Sequence, residues 1–194
     1  MSRLGAHRLY HRRDPYLHQA RPCGQELRIW SAAASSGQEA YSLAMLVSEC
    51  RPLLANRPVK LLGTDIAREQ LSRARQGLYT GFEVQRGLPD QMLRKYFRKE
   101  ESGWRVNAAL KANVEFREWN LLADPAPLGR FDIVFCRNVL IYFDAPTKTR
   151  VLESIARQMP PDGFLYLGCA ETILGLTSLL QPVAGERGVF SPTP

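Results

Sequence analysis

Two acidic side chains stand where an α/β protein commonly binds a nucleoside. Asp65 ends the apolar run of residues 59–64. Glu39 follows another apolar run, residues 27–32, and a loop of small residues that includes Ala34. An acid after the second strand of a dinucleotide-binding fold binds the ribose, and one carboxylate can accept from both hydroxyls of a diol. Small residues let a ligand come close to the backbone. The pattern predicts a nucleoside site built from this loop and Asp65.

Each acid also has a purely local interpretation. Ser36 and Glu39 have the S-x-x-E spacing of a capping box, which predicts that the first helix begins there and would leave Glu39 a capping role alone. Asp65 can cap the next helix, predicted over residues 67–76 and ending at Gly77. The ribose role is favoured for Asp65 because the loop and the acid occur together. For Glu39 both interpretations stay open.

A missing glycine pattern narrows the choice of ligand. No G-x-G-x-x-G follows the first apolar run. A pyrophosphate needs those glycines for close approach of the backbone, whereas a nucleoside without phosphates does not. S-adenosylmethionine is one such ligand.

The bulk composition excludes several classes of protein. The chain has 194 residues, 45% of them hydrophobic, which is enough for one α/β domain with a sizeable core. The four cysteines are scattered without a C-x-x-C pair, and the three histidines lie near the start without an acidic cluster, so no metal site is predicted. No apolar run is long enough to span a membrane, and the first residues lack the apolar part of a signal peptide. We expect a cytoplasmic protein.

The net charge of +7 favours an acidic partner. Several of the arginines lie within the first 28 residues. An acidic protein surface and a nucleic acid both fit the charge, but no nucleic-acid-binding motif accompanies it. Nucleic acid is therefore not favoured, and a solvated surface accounts for most of these arginines.

The order of apolar runs predicts an α/β fold with a mostly parallel, doubly wound sheet. A helix reaching about residue 50, with Leu43, Leu46, Val47 and Cys50 on its apolar face, follows the first strand. Residues 130–136 form the most hydrophobic strand, expected at the centre of the sheet, and place Arg137 and Asn138 at the edge where ligands bind. A helix over about 146–159, a strand over 163–168 and a closing hairpin within 179–190 complete the pattern.

The predicted organisation is one domain, residues 27–194, after a basic N-terminal segment, residues 1–26. Residues 88–113 interrupt the alternation of strands and helices with a short helix and a β-hairpin around residues 100–103. Such an insertion is either a partner site or a plain excursion of the chain.

Four segments together resemble a known family: residues 28–42, residues 62–66, residues 120–122 and residues 131–143. They are similar to the CheR family of chemotaxis-receptor glutamate O-methyltransferases, which are class I S-adenosylmethionine-dependent enzymes. The stretch from Cys136 to Phe143 is the most specific part. The resemblance extends over about residues 27–190 and implies the Rossmann-like class I methyltransferase fold.

The resemblance also implies roles for individual residues. Glu39 and Asp65 would hold the cofactor, Asn120 and Leu121 would flank its adenine, Arg137 and Asn138 would close the site, and Tyr142 would lie near the reactive methyl group. Arg13 resembles an arginine of the family that reaches the cofactor, although His11 and Arg12 replace the two aromatic residues that normally precede it. Further departures are Leu9, Gln38 and Ala40, together with the expected absence of the family's N-terminal helical domain.

The implied reaction is methyl transfer to side-chain carboxylates of glutamates on a chemoreceptor. A glutamate is ionised at neutral pH, so no general base is required. Tyr142 would align the reacting atoms, and Arg13 or Arg137 would attract the carboxylate. The implied partner is the cytoplasmic helical region of the receptor, docking on the hairpin near residues 96–106. The alternatives are an S-adenosylmethionine-binding scaffold or sensor and a methyltransferase for another acceptor.

Overall fold

The computed structural model describes residues 25–54 and 57–194. The chain first forms two strand–helix units, as the apolar runs predict. Strand β1 leads through the small-residue loop to helix α1, a short 3-10 helix follows, and strand β2 leads to helix α2. Their bounds are β1 Leu27–Ser31, α1 Gln38–Glu49, the 3-10 helix Arg51–Leu54, β2 Val59–Asp65 and α2 Arg68–Gln76. Gly77 ends α2 in the left-handed conformation, with φ 63°, as predicted.

The next part of the chain forms a separate antiparallel sheet of three strands, here called the small sheet, with three short helices. The bounds are β3 Leu78–Tyr79, α3 Gly81–Gln85, α4 Asp90–Tyr96, β4 Phe97–Glu100, β5 Gly103–Val106 and α5 Ala108–Lys111. The strand order is β3-β5-β4. The predicted hairpin is therefore confirmed as β4 and β5. The third strand was not predicted, because two residues are too few to give an alternating pattern.

The remaining elements complete the main sheet. They are β6 Val114–Glu118, the 3-10 helices Ala126–Leu128 and Leu140–Tyr142, β7 Ile133–Cys136, helix α6 Ala145–Arg157, β8 Phe164–Leu167, β9 Leu180–Pro182 and β10 Val189–Pro192. The strand order is β6-β2-β1-β7-β8-β10-β9. The first five strands run parallel, and β10 is antiparallel to both β8 and β9. This confirms the predicted mostly parallel sheet and its closing hairpin.

The sheet divides the core into two hydrophobic clusters. Alternate residues of a strand point to opposite faces, so Ile29 packs into one cluster with α1, and Trp30 packs into the other with α6. All four residues of β7 are buried, as expected of a central parallel strand.

The predicted apolar face of α1 was right for Leu43, which is buried, and for Val47 and Cys50, which are half-buried and pack against the same cluster. The core side is broader than predicted, because Ala40, Tyr41, Ala44 and Met45 are buried as well. Tyr41 sets this orientation, because its hydroxyl donates to the carbonyl of Ala74 at 2.8 Å and its ring packs edge-on against Phe116. Burial raises the pKa of Tyr41 to about 12, so the hydroxyl keeps its proton.

Candidate functional site

The parallel strands bring the predicted site residues to one edge of the sheet. The carboxyl ends of β1, β2, β6, β7 and β8 all lie there, where open α/β sheets bind ligands. Among the segments that leave this edge are the first loop, which comprises residues 32–37 after β1, and the second loop, which comprises residues 137–142 after β7. The described residues predicted for the site all follow these strand ends: Ala34, Glu39, Asp65, Asn120, Leu121, Arg137, Asn138 and Tyr142.

Glu39 does not cap its helix. The N-cap residue of α1 is Gly37, and no side chain accepts from the first turn there. Instead, Ser31 Oγ donates to Glu39 Oε1 at 2.9 Å, and Arg137 Nη1 donates to Glu39 Oε2 at 3.1 Å. The predicted capping box with Ser36 is therefore wrong, and the Glu39 carboxylate joins the end of β1 to the second loop.

The environment of Glu39 is charged but largely closed to water. Its side chain is 23% exposed, and that of Arg137 is 18% exposed. Burial is the largest influence and raises the pKa of Glu39, while the charge of Arg137 and the hydrogen bond from Ser31 oppose that rise. The ion pair and the Ser31 hydroxyl thus offset part of the cost of burying a carboxylate.

Asp65 joins the first loop to the start of α2. Asp65 Oδ2 accepts from the backbone N–H of Ser35 at 2.8 Å, and Asp65 Oδ1 accepts from that of Ala67, the N-cap residue of α2, at 2.9 Å. The capping role foreseen as the local alternative is wrong, because Asp65 contacts the N-cap residue itself and no side chain caps the first turn of α2. A carboxylate has about four acceptor positions, so these two bonds leave capacity for a vicinal diol.

The first loop is packed tightly at both ends. Ala34 is buried and donates to the carbonyl of Thr64 at 2.8 Å, and Ala32 donates to that of Phe135 at 2.8 Å. Gly37 has φ 90°, and a Cβ there would lie 2.9 Å from Ala74 Cβ. The loop therefore has no room for a larger residue at Gly37.

The segment after β6 presents the two residues expected to flank an adenine. Asn120 is exposed, and its Oδ1 accepts from the backbone N–H of Leu122 at 2.9 Å, which forms a tight turn. Leu121 is half-buried and packs against the cluster that contains Trp30. Apolar contact beside a polar turn suits a planar base, and their adenine role stays a prediction.

The second loop carries Arg137, Asn138 and Tyr142. Asn138 lies in the left-handed region with φ 60°, which few residues other than glycine adopt. Tyr142 ends the short 3-10 helix and is 79% exposed. Its ring is therefore accessible at the edge where the predicted cofactor and substrate would meet.

One residue of this edge was missed by the sequence analysis. Glu171, three residues beyond Gly168 at the end of β8, accepts hydrogen bonds from backbone N–H groups of the second loop. The sequence did contain one indication of Glu171: an acid shortly after a parallel strand lies at the ligand-binding edge of the sheet, as Asp65 does.

Several sequence-based expectations fall outside the described residues. Arg13, Leu9, His11 and Arg12 lie there.

Within residues 25–54 and 57–194, no group of three or more His, Cys, Asp or Glu side chains is arranged to hold a metal ion. Over the same residues, no helix is both long and apolar enough to cross a membrane.

The donor set fits a nucleoside cofactor without phosphates. Two carboxylates with spare acceptor positions, a loop of small residues and an apolar flank meet at one edge, and the first loop lacks the glycine pattern of a pyrophosphate site. With the strand order of the main sheet, these features define a class I S-adenosylmethionine-dependent methyltransferase fold.

Comparison with known families gives the particular family. Residues 8–189 match the model described as CheR methyltransferase, SAM binding domain, and the chain belongs to this family. S-adenosylmethionine is accordingly its cofactor, and the predicted resemblance is confirmed.

Curated relatives agree with this assignment. The chain is 42% identical over 171 residues to chemotaxis protein methyltransferase Cher2 of Pseudomonas putida, covering 86% of this chain and 62% of that protein. Chemotaxis protein methyltransferase 1 of Pseudomonas aeruginosa gives the same identity and the same coverage. The chain thus spans under two thirds of these relatives. Among solved structures, the citrinin polyketide synthase CMeT domain is similar with a TM-score of 0.49 and 19% identity, covering 77% of this chain and 30% of that one.

Proposed function

We propose that this chain transfers a methyl group from S-adenosylmethionine to the side-chain carboxylate of a glutamate on a chemoreceptor-type signalling protein. The observation that carries the proposal is the arrangement of Glu39, Asp65 and Arg137 at the strand ends of a CheR-family fold, with the exposed ring of Tyr142 at the end of the loop that carries Arg137. The chemotaxis protein methyltransferases to which the chain is similar support the choice of reaction.

Some of these residues hold the cofactor, and others align the reacting groups. Asp65 offers acceptors for the ribose, and Glu39 holds a second part of the cofactor while its charge is balanced by Arg137. When bound, S-adenosylmethionine supplies a methyl group on a positively charged sulfur. An incoming glutamate oxygen forms the new carbon–oxygen bond as the methyl–sulfur bond breaks, and the bonding pair remains on sulfur. No proton moves, so the chain needs to position groups and exclude water rather than supply a base.

Arg137 is a weaker candidate than Arg13 for attracting the substrate carboxylate. Its guanidinium already donates to Glu39 at 3.1 Å. A strong pair with the substrate would also stabilise the ground state and slow the transfer. We assign Arg137 the task of balancing Glu39 and leave attraction of the substrate to Arg13.

We propose that the receptor docks on the small sheet, along β4. Within the described part of the chain, β4 pairs with β5 on one side only, so its other edge offers backbone groups to an extended tail of the receptor, outside the helical region. Arg98 and Lys99 are exposed on β4. Their charges favour an acidic segment of the partner.

The test is transfer of isotope-labelled methyl from S-adenosylmethionine to a purified cytoplasmic receptor fragment, with Asp65→Ala as the inactive control. A glutamyl methyl ester releases its label as methanol in mild alkali, whereas an N-methyl group does not. We expect base-labile label on the receptor with the parent chain. Binding of S-adenosylhomocysteine without transfer would favour a scaffold or sensor, and label on a nucleic acid or small molecule would favour another acceptor. Either result would overturn the proposal.

A further inference from the structure

The carboxylate of Glu171 accepts hydrogen bonds from backbone N–H groups that follow two strands, β7 and β8. Its Oε1 accepts from Val139 at 2.9 Å and from Leu140 at 2.8 Å. Its Oε2 accepts from Asn138 at 2.8 Å and from Gly168 at 2.6 Å. Hydrogen bonds to an ionised acceptor are stronger than neutral ones, so four of them make this side chain the main fastening between the two segments.

Three of the four donors are consecutive residues of the second loop. Successive N–H groups that converge after a left-handed residue form a concave anion site, often called a nest. Here Asn138 is the left-handed residue, with φ 60°, and the anion is supplied by the chain itself. Asparagine adopts this conformation more readily than other side-chain-bearing residues, and the carboxylate accepts from the N–H groups that converge there.

Gly168 lies directly against the Glu171 carboxylate. A Cβ on Gly168 would lie 2.5 Å from Glu171 Oε2 and 2.6 Å from Asn138 Oδ1. The β8 end, the acid and the second loop are therefore in direct contact, and any side chain at Gly168 would push them apart.

We infer that Glu171 is a positioning residue of the methyl-transfer site. It fixes the backbone of the second loop, and through that backbone it sets the places of Arg137 at one end and Tyr142 at the other. Its role in turnover rests on the proposed function, whereas its role in fixing the loop does not. The hydrogen bonds of Glu171 lie at the strand ends and not between the sheet and its helices. Loss of the carboxylate should therefore loosen the second loop and leave the core intact.

The test compares Glu171→Gln and Gly168→Ala with matched controls. A glutamine keeps one acceptor oxygen and turns its NH2 group toward two N–H donors, so half of the bonds are lost. The alanine keeps the charge and displaces it sterically. Glu153→Gln removes a carboxylate that pairs with Arg157 on α6, and Gly81→Ala adds a methyl group where no atom lies within 4 Å. Amide hydrogen exchange followed by NMR and calorimetric titration with S-adenosylhomocysteine are the two measurements.

For both test variants, we expect amides 138–140 to exchange about 10- to 150-fold faster, which corresponds to a loss of ~1.4–3 kcal/mol of local hydrogen bonding. Amides of Val134 and Leu165 in the core strands should stay protected. The dissociation constant for S-adenosylhomocysteine should rise about 10-fold, and in an active chain kcat should fall while the KM for the receptor fragment stays unchanged. The two control variants should match the parent.

Three outcomes would overturn the inference. One is unchanged exchange at 138–140, and another is faster exchange in the core strands to the same degree, since a general structural role predicts that. The third is loop exchange that rises with no change in cofactor affinity. If Glu171→Gln does not fold, Gly168→Ala carries the same comparison. A parent chain that binds cofactor but methylates no receptor would refute the proposed function and leave the exchange and titration results to decide the role of Glu171.

Discussion

The first and second loops lie at the same edge of the sheet but are held by different means. The first loop is fixed by backbone hydrogen bonds to the neighbouring strands and by close packing around Gly37, where even a methyl group meets Ala74 at 2.9 Å, and one of its N–H groups, that of Ser35, donates to the Asp65 carboxylate. Both loops hold a non-glycine residue in the left-handed region, Ser35 and Asn138, but in the second loop three successive N–H groups all donate to one carboxylate, that of Glu171.

The difference predicts which kind of substitution disrupts each loop. A loop held by packing is damaged by added atoms, because close-packed surroundings relax little. A loop held by an acceptor is damaged when that acceptor is lost, because its N–H groups are then left without partners. The first loop carries Ala34 and leads to Glu39, whereas the second carries Arg137, Asn138 and Tyr142. Substitutions in the first region should therefore change stability and cofactor binding, and substitutions in the second should change turnover as well.

Gly37→Ala should give the largest effect. An L-residue at φ 90° is strained by about 1–2 kcal/mol, and the clash with Ala74 adds about 1–3 kcal/mol. We expect the free energy of unfolding in urea to fall by about 3 kcal/mol. Gly81→Ala, in open space, should leave it nearly unchanged. Equal values for the two variants would mean that the first loop is not held by packing.

Asp65→Ala should weaken cofactor binding more than it weakens the fold. The change removes the acceptor for the Ser35 N–H and the proposed acceptor for the ribose. Loss of charge-assisted bonds costs about 1.5–3 kcal/mol, so the dissociation constant for S-adenosylhomocysteine should rise about 10- to 150-fold in calorimetry. Asp124→Ala removes a similar local bond, to the Ala126 N–H, and is the matched control. Identical affinities in the two variants would remove Asp65 from the site.

The same contrast explains what the sequence could predict. Strands, their order of appearance and the first loop follow from apolar runs, small residues and Gly37, all of which are local patterns. Asp65 belongs with them, because its position directly after a strand places it at the ligand edge. The main sheet and its closing hairpin were accordingly predicted correctly.

Contacts between distant segments gave no such signal. The capping box was expected because Ser36 and Glu39 have its spacing, but Ser36 Oγ donates to Gln38 Oε1 at 2.7 Å, and Glu39 turns to Ser31 and to Arg137. A capping box does occur at Thr80 and Glu83. Glu171 escaped notice because its partners in the second loop lie more than thirty residues away, and no local spacing expresses such a contact.

Tyr142→Phe tests whether the hydroxyl of Tyr142, in the second loop, takes part in the reaction. The side chain is 79% exposed, so removing one hydroxyl should not disturb packing or the affinity for S-adenosylhomocysteine. Loss of one aligning hydrogen bond of about 1.4 kcal/mol should lower kcat about 10-fold. Transfer kinetics and calorimetry on the same preparation check both parts. Unchanged kcat would exclude a role for the hydroxyl in the reaction, and a large loss of affinity would assign it to cofactor binding.

Glu39→Gln tests the link between the two regions and should have the smallest effect on stability. Burial raises the pKa of Glu39 above its ordinary value of 4.5, so the folded chain holds this proton more tightly than the unfolded chain does. As pH rises from 4.5 through the raised pKa, the folded state carries more protons than the unfolded state. The free energy of unfolding therefore declines across that window and stays level above it.

A glutamine at position 39 does not titrate, so the variant should lack this decline. Relative to the parent, its free energy of unfolding should improve as the pH rises from 4.5. Calorimetry at pH 7 should nevertheless find weaker S-adenosylhomocysteine binding, because the variant loses the charge that pairs with Arg137 across the two loops. Parallel profiles for the parent and Glu39→Gln would mean that burial of this carboxylate is fully compensated. A gain in stability together with a loss of affinity would instead mean that Glu39 is retained for the site at the expense of the fold.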